Sequence, residues 1–226
     1  IVAEDESYVG KTIIIAFGKV PRKLGIPGED KFFGRGVSTC ATCDGPLFKN
    51  KNVAVVGGGN AALEAALDLS NFAKKVYLIH RRDEFRGDEV TVEKIKKASK
   101  VELVLNSAPI EVKGEKFVSS IIIENVNDKT KRELEIDGMF LEIGYVVDSS
   151  MAKSLVKINE NNEIVTDKNG QTSCQGVFAA GDVTDTPFKQ AIIAAGDGAR
   201  AALGVYTYLT CGGMIGKKIA PDWHCP

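Results

Sequence analysis

No apolar run in this chain reaches the roughly 20 residues a helix needs to cross a bilayer, and no secretory signal opens it. Neither sign of charge is in excess, since 29 lysines and arginines meet 30 aspartates and glutamates for a net charge of -1. Neither nucleic acid nor a membrane surface is therefore an expected partner. Histidine is scarce, at two residues, and there is no second Cys-x-x-Cys. The four ligands of a closed zinc site are hard to assemble from that supply. Five cysteines in 226 residues are too thinly spread for a small secreted disulfide scaffold. Internal repeats and low-complexity stretches are missing as well. What remains is ordinary globular composition, 44% hydrophobic and 26% charged, at a length for one large or two modest domains. The chain begins at Ile1 rather than Met, in mixed polar sequence, which reads as a fragment or a processed chain.

Residues 12–16 form an apolar run closed by Gly18 and predict a buried strand. Glycines and prolines between Pro21 and Gly36 then mark a boundary between domains. Next come an apolar run at 53–56, three glycines at 57–59, an amphipathic stretch over 60–72 and a second apolar run at 76–79. In the amphipathic stretch Ala62, Ala65, Ala66 and Leu69 recur at three- and four-residue spacing, so one helical face is apolar. Strand, turn, helix and strand make a βαβ unit, which joins parallel strands by a right-handed crossover. Further on, the pattern predicts a helix over 87–98 and a strand over 101–105. A meander of strands follows at 110–112, 118–124 and 134–136, with a turn at Asn127 and Asp128. Strands over 138–143 and 177–180 and a helix over 189–209 complete the reading, and residues 211–226 are expected to be irregular.

Gly57, Gly58, Gly59, Asn60, Ala61 and Ala62 fit the dinucleotide-binding G-x-G-x-x-A in its proper context, after a strand and opening a helix. The first glycine allows a tight turn, the second lets the backbone approach a pyrophosphate, and the helix N-terminus offers unpaired N–H groups. An NAD site wants an acidic residue about 20 positions on; here the strand is followed by His80, Arg81, Arg82 and then Arg86. Guanidiniums suit a ribose 2′-phosphate, so NADPH is expected over NADH. The plainer alternative is a solvated basic patch beside a glycine turn. Cys40 and Cys43 form a Cys-x-x-Cys directly ahead of the unit. Such a pair can close a small reducible disulfide whose thiolate is the nucleophile, and Asp44 beside it can shuttle a proton. Half of a zinc site completed by His224 and Cys225 is the rival. Gly181 and Asp182 end an apolar run, where an acidic side chain can accept from cofactor hydroxyls.

Taken together, CATCDG at 40–45, the stretch 53–62, HRRDEFR at 80–86, GVFAAGD at 176–182, Gln190-Ala191 and AGDG at 195–198 resemble the low-molecular-weight thioredoxin reductases over nearly the whole chain. That resemblance implies an α/β fold of two Rossmann-like dinucleotide-binding domains. The NADPH domain, 23–147, would be inserted in a discontinuous and here incomplete FAD domain formed by 1–22 and 148–226. It implies FAD contacts from Gly181, Asp182, Val183, Lys189, Gln190 and Ala191, with Ile143 and Gly144 also among the cofactor-binding residues. The implied route carries electrons from NADPH through FAD to the Cys40–Cys43 disulfide and on to thioredoxin or a related small redox protein. Cys43 would face the flavin, Cys40 would attack the substrate, and Asp44 would act as acid and base, in a rotating domain of a cytoplasmic homodimer. The sequence departs from the family at Phe17, where a small polar residue is usual, and at 143–148, where IGxxPN reads IGYVVD. A flavoprotein reductase serving a peroxiredoxin, or a non-catalytic NADPH-binding redox module, are the competing readings.

Overall fold

The computed structural model describes residues 2, 3 and 6–211. The chain divides into two compact units, one continuous over Pro21–Gly144 and one built from the segments up to Val20 and from Tyr145 on.

Five parallel strands form the main sheet of the Pro21–Gly144 unit. Their spatial order is Val37–Ser38, Gly138–Leu141, Asn52–Val56, Lys75–Ile79, Val101–Val104. From Asn52 to Val104 the chain steps outward in one direction, and then Gly138–Leu141 returns on the other side of the starting strand. The strand order therefore reverses between Asn52–Val56 and Gly138–Leu141. In an open α/β sheet that reversal leaves a crevice beyond the carboxyl ends of the two strands, the usual place for a ligand.

The central strands are apolar without alternation because both faces are covered. Val53, Val55, Val76, Leu78 and Phe140 pack on one face with the helices, whereas Ala54, Val56, Tyr77, Ile79 and Met139 pack on the other with a second sheet. The helix Asn60–Ser70 buries Ala62, Leu63, Ala65, Ala66 and Leu69. A fully buried leucine contributes about 1.5–3 kcal/mol, so packing holds this helix to the sheet. It ends two residues before the expected 72 because Asn71 and Phe72 donate to the Asp68 and Leu69 carbonyls, tightening the last turn. The helix Glu89–Lys97 starts later than the expected 87 because Asp88 caps it, accepting from the Thr91 N–H at 2.9 Å.

The second sheet is an antiparallel meander of Ser107–Gly114, Val118–Asn125 and Lys131–Glu135. Its strands exceed the expected ones because their solvent faces are polar and interrupt the apolar count. Asn125 Oδ1 accepts from the Asn127 and Asp128 N–H groups, forming the turn read from the sequence. The strand expected over 138–143 stops at Leu141. The Glu142 N–H still donates to the Val56 carbonyl at 2.9 Å, but the neighbouring chain then turns away at Gly57.

In the other unit Ile13–Ile15 pairs in parallel with Val177–Ala179. The strand expected to be buried is only partly so: Ile14 is 42% exposed, since among the described residues the strand has one ladder partner. The helix Ala191–Thr210 sets Ala201 against Phe178 and Ala180. Ala152, Val156, Ile164, Val177, Ala179 and Val183 form a separate cluster. Among the described residues no helix is long and apolar enough to cross a membrane. The irregular stretch expected at 211–226, apart from Cys211, lies outside the described residues, as do His224 and Cys225.

Candidate functional site

The edge strand Val37–Ser38 leads at its carboxyl end into the redox turn. Cys40 is the N-cap of a single helical turn, Ala41–Asp44, which passes into a 3-10 turn carrying Pro46. Cys40 Sγ accepts from the Cys43 N–H at 3.2 Å, and the Cys40 N–H donates to Ser38 Oγ at 3.0 Å. The two sulfurs are joined as a disulfide, with the Cα atoms 5.3 Å apart. Cys43 is exposed, whereas Cys40 and Asp44 are half-buried. Among the described residues no group of three or more His, Cys, Asp or Glu is placed to hold a metal ion. A disulfide in so small a loop can take up two electrons or be re-formed by thiol exchange.

Two strands away, the glycine turn follows Asn52–Val56. A Cβ on Gly57 would lie 2.3 Å from the Glu142 carbonyl oxygen and 2.7 Å from the Ala62 Cβ. One on Gly58 would lie 2.2 Å from the His80 ring. On Gly59 it would meet nothing within 4 Å. Gly59 caps the 11-residue helix without any side-chain cap, leaving its first N–H groups available to an anion. Asn60 and Ala61 are exposed on this first turn, and Ala62 is buried beneath it.

The arginine loop is stitched onto the same turn. The Arg86 N–H donates to the Gly58 carbonyl at 2.7 Å, and the Asp88 N–H donates to Asn60 Oδ1 at 2.8 Å. Arg81, Arg82 and Arg86 are exposed. His80 has a different place from its arginine neighbours. It is 5% exposed, lies under Gly58, and stacks on Phe85 at 5.5 Å between centroids. Burial lowers its pKa below the usual 6.5, and Arg86, Arg82 and Arg81 push the same way, so the imidazole is neutral at pH 7. Its geometry is that of a floor beneath the turn. An uncapped helix N-terminus, a glycine with open space before it and three nearby guanidiniums fit a phosphorylated dinucleotide.

Between the two turns, at the strand-order reversal, sits Glu142. Sequence reasoning misses this residue, although it leaves one signal: a single charge inside the apolar stretch GMFLEIG. Burial pushes its carboxyl up to about 6, and the Ala41 backbone N–H works against that shift. Ile143 beside it is half-buried, and Gly144 is exposed at φ 89°.

The remaining expected residues belong to the other unit. Gly181 turns the chain at φ 75° after the Val177–Ala179 strand. Asp182 pairs with Lys19 at 3.0 Å, and the same ammonium lies 5.1 Å from the Tyr145 ring centroid. Val183 is fully buried. Lys189 is committed to Glu163 at 2.9 Å and to the Thr184 carbonyl. Gln190 is the N-cap of Ala191–Thr210 with no side-chain cap bond, again leaving N–H groups for an acceptor. A carboxylate, a glycine turn and an uncapped helix suit one side of a flavin nucleotide.

These features suit an oxidoreductase with a redox disulfide, and comparison with known proteins gives the family. The pyridine nucleotide-disulphide oxidoreductase family matches residues 2–198, and the chain belongs to that family. It is an α/β oxidoreductase of this general class, with two dinucleotide-binding-like subdomains. The chain is 47% identical over 216 residues to thioredoxin reductase of Helicobacter pylori, covering 92% of this chain and 70% of that protein. It is 44% identical over 199 residues to the F component of alkyl hydroperoxide reductase from Staphylococcus aureus, covering 88% of this chain but 39% of that protein. Among solved structures, Lactococcus lactis thioredoxin reductase in its FR conformation matches with a TM-score of 0.79 at 38% identity, over 92% of this chain and 69% of that one. Thioredoxin reductase of T. acidophilum matches with a TM-score of 0.76 at 36% identity, over 91% and 68%.

Proposed function

We propose that this chain is the disulfide- and NADPH-bearing part of a thioredoxin-disulfide reductase. The observation that carries the reading is the placement of a Cys40–Cys43 disulfide and an arginine-flanked glycine turn at the carboxyl ends of one parallel sheet. Gly57–Ala62 would hold the pyrophosphate of NADPH, and Arg81, Arg82 and Arg86 its 2′-phosphate. His80 would support the turn from below, with Ile143 and Gly144 beside the cofactor. FAD would rest on Gly181, Asp182, Val183, Lys189, Gln190 and Ala191. When bound, NADPH supplies an electron pair that FAD relays to the disulfide.

The chain's own residues do the thiol chemistry. Two electrons and two protons convert the disulfide to a dithiol. One thiol loses its proton and attacks a disulfide sulfur of the substrate, and the second thiol then displaces the reduced substrate and restores the Cys40–Cys43 bond. Asp44, next to Cys43 in sequence, would accept and return a proton. Cys40 is assigned the attack because the Cys43 N–H donates to its sulfur, and a donor favours the charged thiolate. The substrate is thioredoxin or a related small redox protein, the enzyme a homodimer, and the reducing cytoplasm its setting. A reductase serving a peroxiredoxin is the second reading, favoured by the 44% identity to the alkyl hydroperoxide reductase component.

Covalent trapping tests the assignment. With full-length Cys43→Ser and a thioredoxin that lacks its resolving cysteine and carries its remaining cysteine as a mixed disulfide with thionitrobenzoate, attack by Cys40 is expected to release thionitrobenzoate and leave a stable protein–protein disulfide. An adduct forming only with Cys40→Ser would reverse the roles of the two sulfurs, and adducts with neither variant would count against thioredoxin as the substrate.

A further inference from the structure

We propose that Asp197 is a positioning residue of the flavin site, holding the Gly181–Asp182 turn through two threonine hydroxyls and so setting where the Asp182 carboxylate meets the cofactor. This inference rests on the reading of Gly181 and Asp182 as flavin contacts. It gives a role to the AGDG stretch at 195–198, for which the thiol chemistry has none. Asp197 lies in the second turn of Ala191–Thr210 and is 7% exposed. Burying a carboxylate inside a helix is costly unless its oxygens are satisfied, and here both are. Oδ1 accepts from Arg200 Nη2, one turn on, at 2.8 Å. Oδ2 accepts from the Thr186 hydroxyl, outside the helix, at 3.1 Å.

From Thr186 the contacts run back to the turn. The Thr186 and Thr184 hydroxyl oxygens are 3.0 Å apart. Thr184 Oγ1 lies 2.8 Å from the Gly181 carbonyl, which also accepts the Thr184 N–H at 2.9 Å. Each hydroxyl has a single proton. With the carboxylate taking that of Thr186, Thr184 keeps its own for the Gly181 carbonyl. That carbonyl belongs to the planar peptide that enters Asp182, so its orientation sets the backbone from which the Asp182 side chain projects. The turn has little freedom to compensate. Gly181 is at φ 75°, a Cβ on it would lie 3.3 Å from the Ala194 Cβ, and Thr184 is fully buried.

The test is FAD binding to the full-length apoprotein, followed by flavin fluorescence, together with the melting temperature of the same apoprotein. Thr186→Val removes the linking hydroxyl with almost no change of shape, and Thr186→Ala removes it without the bulk of the branch. Both are expected to weaken FAD binding about 5–10-fold, and Thr186→Ser is expected to restore wild-type affinity. In an Asp182→Ala background the same Thr186→Val change is expected to alter affinity by less than about twofold, because residues that act through one another are not additive. Val and Ala variants that bind FAD as tightly as wild type would overturn the proposal. So would an equal loss with and without the Asp182 carboxylate, since a merely structural defect lowers affinity and melting temperature alike in both backgrounds. A wild-type protein that binds no FAD would overturn both the proposal and the functional reading.

Discussion

The glycine turn offers a way to separate what the fold needs from what a ligand needs. Gly59 has φ -99° and ψ -177°, an extended conformation open to any residue, and an added Cβ meets nothing within 4 Å. Gly59→Ala therefore changes little in the folded protein beyond exchanging a glycine N-cap for a weaker one, about 0.5–1 kcal/mol. If a pyrophosphate lies against that open face, the new methyl group occupies its space. Loss of one or two charge-assisted N–H contacts, at about 1.5–3 kcal/mol each, predicts NADPH binding weakened roughly 10-fold or more. Gly58→Ala behaves differently. Its methyl group would fall 2.2–2.5 Å from three His80 ring atoms, and that ring is 5% exposed and stacked on Phe85. Overpacking of this kind costs about 1–3 kcal/mol, so both melting temperature and NADPH affinity should drop. Thermal unfolding and NADPH titration on the two variants measure this directly. A Gly59→Ala protein that binds NADPH as tightly as wild type would refute the placement of the pyrophosphate.

Two further outcomes follow from charge. Replacing Arg81 and Arg82 with Ala removes two exposed guanidiniums worth about 1.5 kcal/mol each at the low end for contacts to a phosphate, so kcat/KM for NADPH should fall roughly 100-fold while that for NADH barely moves. Equal losses for both cofactors would remove the 2′-phosphate argument. Glu142→Gln should raise the melting temperature at pH 7.5 and leave it unchanged at pH 4. The carboxyl's folded pKa of about 6 lies above its usual 4.5, so the folded state holds its proton more tightly, and that stability is lost as pH rises through 6. A variant equally stable to wild type at both pH values would show that the carboxylate is solvated.

Much of the unit Pro21–Gly144 is legible in the sequence because its signals are local and its faces are covered. Three glycines between apolar runs announce the βαβ unit, and alanines at helical spacing announce the helix that covers it. Strand ends are less legible, because they depend on the neighbour: the strand ending at Leu141 stops where Gly57 carries its partner away. Ile14 reads as core yet is exposed, since burial depends on how many strands flank it. His80 groups in sequence with the arginines it adjoins, but the chain turns between His80 and Arg81, and its ring goes beneath the glycines. Glu142 does not stand out in the sequence because its burial depends on the strand-order reversal, which exists only in the folded sheet.

The most direct test of the account is NADPH-driven reduction of thioredoxin by the full-length, flavin-loaded protein, run beside Cys43→Ser. The account predicts steady turnover that disappears in the variant, because one sulfur alone cannot complete the cycle of reduction and exchange. Turnover that survives the loss of Cys43 would contradict it, and so would an enzyme that oxidises NADPH yet leaves thioredoxin oxidised while reducing a peroxiredoxin partner.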